Sequence, residues 1–143
     1  MALMQPGAAL DAVYPAQPTR LAEIRRDVED AATGCGADAT ALLQIGLAVS
    51  EAVTNAILHG YRDRATGGDV RVAMRREDEF LDISVCDDGT GIIPGAGSPG
   101  LGLGLSLMAH EAHSFGIRTA PGEGTEIHLR FRLCRTAGTA LRA

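Results

Sequence analysis

Three stretches of this chain alternate apolar and polar residues with a period of two. Val70, Val72 and Met74 alternate with Arg71, Ala73 and Arg75, and after the acidic turn Glu77 to Glu79 come Leu81, Ile83 and Val85. Near the other end Ile127, Leu129, Phe131 and Leu133 alternate with Glu126, His128, Arg130 and Arg132. A strand patterned in this way is buried on one face only, so its sheet needs a cover on one side. Two helical stripes supply it. Leu21, Ile24, Val28 and Ala31 recur at spacings of three and four, with Thr19 at the expected N-cap and Gly34 as the stop. A second helix is expected from just after Asp38 to about His59, with Leu42, Gly46, Val49, Val53 and Ile57 on one stripe and Gly60 at its end.

A short strand at Asp11 to Tyr14, an apolar helix from about Leu103 to Ala112 and a strand at Phe115 to Thr119 complete the reading. The turn Pro121 to Gly124 joins that strand to the last one. The sum is α+β, a two-layer sandwich with helices on one face of a mainly antiparallel sheet.

A chain of 143 residues suits one domain, expected here over 1–143 with a frayed tail after Arg135. Its 45% hydrophobic residues are enough for a core. Thirteen basic residues, all Arg, against 18 acidic ones give −5, and aromatics are 3%. That balance disfavours direct nucleic-acid binding, because phosphate neutralisation and base stacking both lack material. Residues 89–110 carry no Asp, Glu, Lys or Arg over a length that could span a bilayer, yet they hold seven Gly and two Pro, so no membrane helix is expected there. No leader-like apolar run is visible at Met1 to Gln5, and Cys35, Cys86 and Cys134 are too far apart for metal spacing. They read as buried thiols of a cytoplasmic protein.

Glu51 and Asn55 lie one turn apart on the second helix, with His59 a further turn on and the small Ala48 and Ala52 beside them. A carboxylate next to a carboxamide suits an ion or ligand, since the amide oxygen can ligate Mg²⁺ and Glu can take a proton; a solvated helix face is the alternative. Asp87, Asp88, Gly89, Thr90 and Gly91 end a strand and open a loop where carboxylates point at a ligand while glycines let backbone approach it, unless this is an ordinary turn. Gly100, Gly102 and Gly104 precede an apolar helix, so free amides and the positive end of a helix dipole meet a loop able to wrap an anion. Neither the Rossmann nor the P-loop pattern fits. No Lys or Arg occurs from Glu77 through Ile117, so a bound polyphosphate would rely on metal and backbone dipoles, or on Arg62, Arg64 or another chain.

In this order the motifs resemble the GHKL ATPase superfamily, in the form of anti-sigma-factor serine/threonine kinases. The segment Val49-Ser-Glu51-Ala-Val-Thr-Asn55-Ala-Ile-Leu-His59-Gly-Tyr61 is similar to its N box, Asp87-Asp-Gly89-Thr-Gly91 to its first glycine box, and Gly100-Leu-Gly102-Leu-Gly104-Leu to its second. Gly124-Thr125-Glu-Ile resembles the strand start that closes the adenine pocket, and the resemblance spans residues 13 to 134.

It implies a Bergerat-type ATP-binding fold with ATP as substrate and Mg²⁺ as cofactor. Glu51 is then the base that activates a serine hydroxyl, Asn55 the Mg²⁺ ligand and Asp87 the partner of the adenine amino group. Gly89 and Gly91 let the chain pass close to the nucleotide, Gly100, Gly102 and Gly104 belong to the phosphate loop, Thr125 bonds near adenine, and His59 matches the motif. The implied partners are a sigma factor, an anti-anti-sigma protein of STAS type and a second copy of the chain. The N-terminal strand and the first helix, with Glu23, Arg26, Asp27 and Asp30 facing water or a partner, would share the dimer and sigma-factor surfaces. Only eight residues, Ile92 to Pro99, separate the two glycine boxes, and no Arg precedes Gly100. This keeps a short-lid switch-type kinase and a non-catalytic nucleotide-dependent binding module as alternatives.

Overall fold

The alternation across residues 69–87 produces the central hairpin. In the computed structural model, which describes residues 8–60, 68–89, 110–120 and 124–133, β2 (Asp69–Glu77) and β3 (Phe80–Asp87) pair antiparallel. Their two-residue turn places Asp78 at φ 55°, a left-handed conformation that Asp tolerates better than most residues. β1 (Ala8–Pro15) adds to β2, β5 (Gly124–Arg132) adds to β3, and β4 (Ser114–Ala120) closes the far edge. The order is β1-β2-β3-β5-β4, antiparallel throughout.

Register turns these strands into rows. On one face Leu10, Met74, Ile83, Leu129 and Phe115 lie side by side, and next to them Ala12, Val72, Val85, Ile127 and Ile117. At the strand ends the same face carries Tyr14, Val70, Asp87, Thr125 and Thr119. Helices α1 (Leu21–Gly34) and α2 (Ala39–Asn55) cover this face, sinking Ile24, Val28 and Ala32 of one and Ile45, Val49 and Val53 of the other into the shared core. They cross where α2 has no side chain. A Cβ on Gly46 would stand 3.1 Å from Glu29 Oε1, and one turn on Arg25 Nε donates to Ser50 Oγ at 3.0 Å.

The helix ends show where the sequence reading holds. Asp38 caps α2, its carboxylate accepting the Ala41 N–H at 2.8 Å. Thr19 does not cap α1. Pro18 opens a 3₁₀ turn over Pro18–Arg20, so α1 begins at Leu21 behind Arg20, with no side-chain cap. Gly34 is the last residue of α1, and the reversal falls to Gly36, at φ 98°. There the Ala37 N–H bonds the Ala32 carbonyl and the Gly36 N–H that of Thr33, a Schellman closure. α2 does not run unbroken to His59: after Asn55 it widens into a π turn, Ala56–Gly60. The window Ala39–Leu58 is long and apolar enough to cross a membrane, but half of it is buried inside this fold.

On the exposed face of α1, Glu23, Arg26 and Asp30 meet solvent as expected, while Asp27 does not. It is half-buried and accepts the Tyr14 hydroxyl at 2.8 Å, a contact between β1 and α1. Of the helix expected at Leu103 to Ala112 only His110, Glu111 and Ala112 lie within the described residues; the first two are helical, and Ala112 is buried in a bend that follows them. Cys35 and Cys86 are free and half-buried, with burial raising both thiol pKa values, and Cys134 lies outside the described residues.

Candidate functional site

The polar row at the strand ends sits where α2 changes pitch. The Ala56–Gly60 turn packs against both β3 and β5, so the end of the helix and the ends of these strands converge. Asn55, the last α-helical residue, is only 6% exposed, and its Nδ2 has no hydrogen-bond partner among the described residues. Burying a carboxamide donor without a partner costs about 1–3 kcal/mol, a cost that a ligand at this spot would remove. Glu51, one turn earlier, is half-buried, between the buried Ala48 and Ala52 and the exposed Leu47.

Asp87 and Thr125 face each other across β3 and β5. Asp87 Oδ1 accepts the Gly89 N–H at 2.9 Å, which turns the chain sharply after the strand, and Gly89 is buried. Thr125 is 5% exposed. Beside it Gly124 takes φ 85°, and a Cβ there would stand 2.0 Å from the Asp87 carbonyl oxygen and 2.8 Å from Asp88 Cα. The backbone of β5 therefore presses directly on the segment that carries Asp87. A cavity of about 260 Å³ opens at this end of the sheet, lined by Asp87, Thr119, Gly124 and Thr125 together with Cys86, Arg118 and Glu126.

The donor set suits Mg²⁺ shared with phosphate. Among the described residues no three His, Cys, Asp or Glu side chains cluster as a metal cage, whereas Mg²⁺ is commonly held by one or two protein oxygens, with phosphates and water completing its shell. The buried Asn55 amide can supply such an oxygen, since the two ends of a carboxamide are interchangeable by a flip.

Of the residues singled out in the sequence, Glu51 and Asn55 share one helical face, and Asp87, Gly89 and Thr125 gather at the sheet end that the same helix reaches. His59 falls in the π turn, its side chain outside what is described. Gly91, Gly100, Gly102 and Gly104 lie outside the described residues. Sequence reasoning missed Thr119 and the Tyr14–Asp27 contact. Neither carries a motif, and each becomes visible only once strand register and helix docking are known.

Two larger cavities, about 520 and 500 Å³, lie on the opposite face of the sheet, away from Asn55 and Asp87. That face is charged and largely paired within itself. Arg71 grips Asp11 at 2.8 and 2.7 Å and holds its carboxyl below the usual carboxylate range. Arg130 holds Asp82 at 2.8 Å while lying over the Phe80 ring. Arginines already engaged by carboxylates are poor anchors for a polyphosphate.

The family model described as a histidine kinase-like ATPase domain matches residues 14–131. The anti-sigma F factor of Pasteuria penetrans is 35% identical over 111 residues, covering 70% of this chain and 74% of that protein. The anti-sigma F factor of Bacillus subtilis strain 168 is 32% identical over 106 residues, covering 66% and 72%. Among solved structures, that of the RsbU and RsbW domains of a Mycobacterium tuberculosis protein superposes with a TM-score of 0.70 at 25% identity, over 90% of this chain. The chain spans about a third of that structure's length, 34%.

Proposed function

The chain belongs to the histidine kinase-like ATPase domain family, and from that premise we propose that it is an ATP-dependent protein serine/threonine kinase of the anti-sigma-factor type. It sequesters a sigma factor and phosphorylates a serine or threonine of an anti-anti-sigma antagonist of STAS type. It acts in the cytoplasm as one domain over 1–143, with a core of about 13–134, and as a homodimer. The observation that carries this reading is the buried Asn55, whose Nδ2 has no partner among the described residues, one turn from Glu51 on a helix whose terminal turn packs against the strands that carry Asp87 and Thr125.

In this reading Asp87 accepts a hydrogen bond from the adenine amino group and Thr125 lines the same pocket. Asn55 directs its carboxamide oxygen at Mg²⁺, and Mg²⁺, when bound, neutralises charge on the phosphates. His59 and the amides of Gly89, Gly91, Gly100, Gly102 and Gly104 complete the nucleotide contacts. Glu51 accepts the proton of the attacking hydroxyl as its oxygen bonds the γ-phosphorus and the bond from that phosphorus to the bridging oxygen breaks, releasing ADP. Positioning and electrostatics carry most of such a transfer, so removing the base should slow it without emptying the site.

Transfer of labelled phosphate to the purified antagonist measures this directly. Glu51→Gln should lower the rate by about 10²–10⁴-fold while Mg²⁺-ATP affinity stays within about threefold of wild type. Undiminished transfer would remove Glu51 from its role and leave a nucleotide-dependent binding module.

A further inference from the structure

The outward faces of the two helices differ in kind. α1 turns Glu23, Arg25, Arg26 and Asp30 to solvent, whereas from Ala39 to Leu58 the chain carries a single charged residue, Glu51. Leucines stand where charges would be expected: Leu43 is 66% exposed, Leu47 39% and, in the π turn, Leu58 55%. One exposed leucine means little, but Leu43 and Leu47 are a turn apart on one face, and Glu51 follows a turn after Leu47. At about 100° per residue, positions four apart are offset by about 40° around the helix. Leu47 and Asn55 therefore flank Glu51 on opposite sides. Asn55 is buried and Leu47 faces outward, with the half-buried Glu51 at the boundary between them. A base that takes a proton from an arriving hydroxyl has to stand at such a boundary, since the hydroxyl comes from outside and the nucleotide is held within.

We propose that the ridge formed by Leu43 and Leu47 is the docking surface for the phosphoacceptor protein, which lays an apolar patch beside its serine or threonine on these leucines and so delivers the hydroxyl to Glu51. The proposal rests on the reading above that Glu51 is the base, and it names how the acceptor is selected: by apolar surface next to the hydroxyl rather than by charges around it. A face without charge other than the reacting carboxylate suits the core of a protein interface, where charged residues are depleted. The position beside Glu51 also decides between occupants. A second copy of the chain seated on the ridge would cover the base and shut the hydroxyl out, whereas an acceptor seated there brings it in. The leucines touch neither the nucleotide motifs nor the reacting atoms, so they contribute to acceptor binding in the ground state and the transition state alike, which shows in KM rather than in kcat.

The test uses the full chain and the purified STAS-type antagonist of the transfer assay above, with thermal melting as the control for folding. Leu43→Gln combined with Leu47→Gln keeps helix-forming residues and removes the apolar ridge, and Leu43→Met with Leu47→Met keeps it apolar. The Gln pair should raise KM for the antagonist by about tenfold or more, with kcat and Mg²⁺-ATP affinity within about twofold of wild type, and the Met pair should restore a low KM. Calorimetric titration of the antagonist into the Mg²⁺-ADP-bound chain should show the same loss of affinity. Unchanged KM and affinity in the Gln pair, or a fall in kcat with KM unchanged, overturns the proposal. So does a lower sedimentation mass for the Gln pair alone in solution, which would make the ridge a contact between two copies. Glu51→Gln separates the two levels of the argument. If it transfers phosphate undiminished, the base reading fails, and the titration then decides the ridge by itself: lost antagonist affinity in the Gln pair keeps it as a docking surface, and retained affinity removes it.

Discussion

On the helix-covered face of the sheet, the row Leu10, Met74, Ile83, Leu129 and Phe115 and the row Tyr14, Val70, Asp87, Thr125 and Thr119 are four residues apart along β1. Ile83 and Leu129 of the first are fully buried, and every side chain of that row is satisfied by apolar neighbours. The second is just as regular in backbone pairing but mostly polar. It faces a helix end where Nδ2 of the buried Asn55 has no partner among the described residues. The apolar end is complete without a ligand, so it supplies stability. The polar end carries a desolvation cost that bound ligand would relieve, which fits the role in recognition proposed for its residues.

Emptying the apolar row should produce the largest change in stability. Ile83→Ala is expected to cost about 3–4 kcal/mol in chemical denaturation, while the folded protein keeps its ATP affinity; lost affinity with stability intact would break the division between the two ends. Gly124→Ala acts at the polar end through backbone. The clash with the Asp87 carbonyl and the φ of 85° should cost about 2 kcal/mol and weaken ATP binding as well, by displacing Asp87. Normal affinity in a folded Gly124→Ala protein would show that the β5 backbone does not hold Asp87 in place.

Tyr14 sharpens the comparison, because it shares the polar row yet bonds inward to Asp27. Tyr14→Phe should cost about 1 kcal/mol and leave nucleotide binding untouched. Burial, and then the bond to Asp27, raises the Tyr14 pKa above its ordinary value of 10.0. A raised folded pKa means that this stabilisation is full below pH 10 and is lost as pH rises beyond it. Unfolding followed from pH 9 to 11 should therefore show a steeper alkaline loss in wild type than in Tyr14→Phe, and parallel curves would remove the Tyr14 contribution.

What the sequence disclosed follows the range of the interactions involved. The period of two across residues 70–85 and 126–133, and the capping carboxylate of Asp38, are local signals, and they correspond to observed strands and an observed cap. Thr19 failed as a cap because Pro18 imposed a tight turn that the capping preference does not anticipate. The insertion of β5 between β3 and β4 depends on pairing between distant segments, and no pattern within either strand encodes it. Glu51, Asn55, Asp87 and Thr125 were legible as motif residues. Thr119 was not, since a threonine on an edge strand gains meaning only from the residue across from it.

The central claim is that the end of α2 and the polar end of the sheet form one nucleotide site. Titration of Mg²⁺-ATP into wild type, Asn55→Ala and Asp87→Ala tests it most directly. Each substitution should weaken binding by about tenfold or more with the melting temperature maintained, and wild-type affinity in both variants would contradict the account.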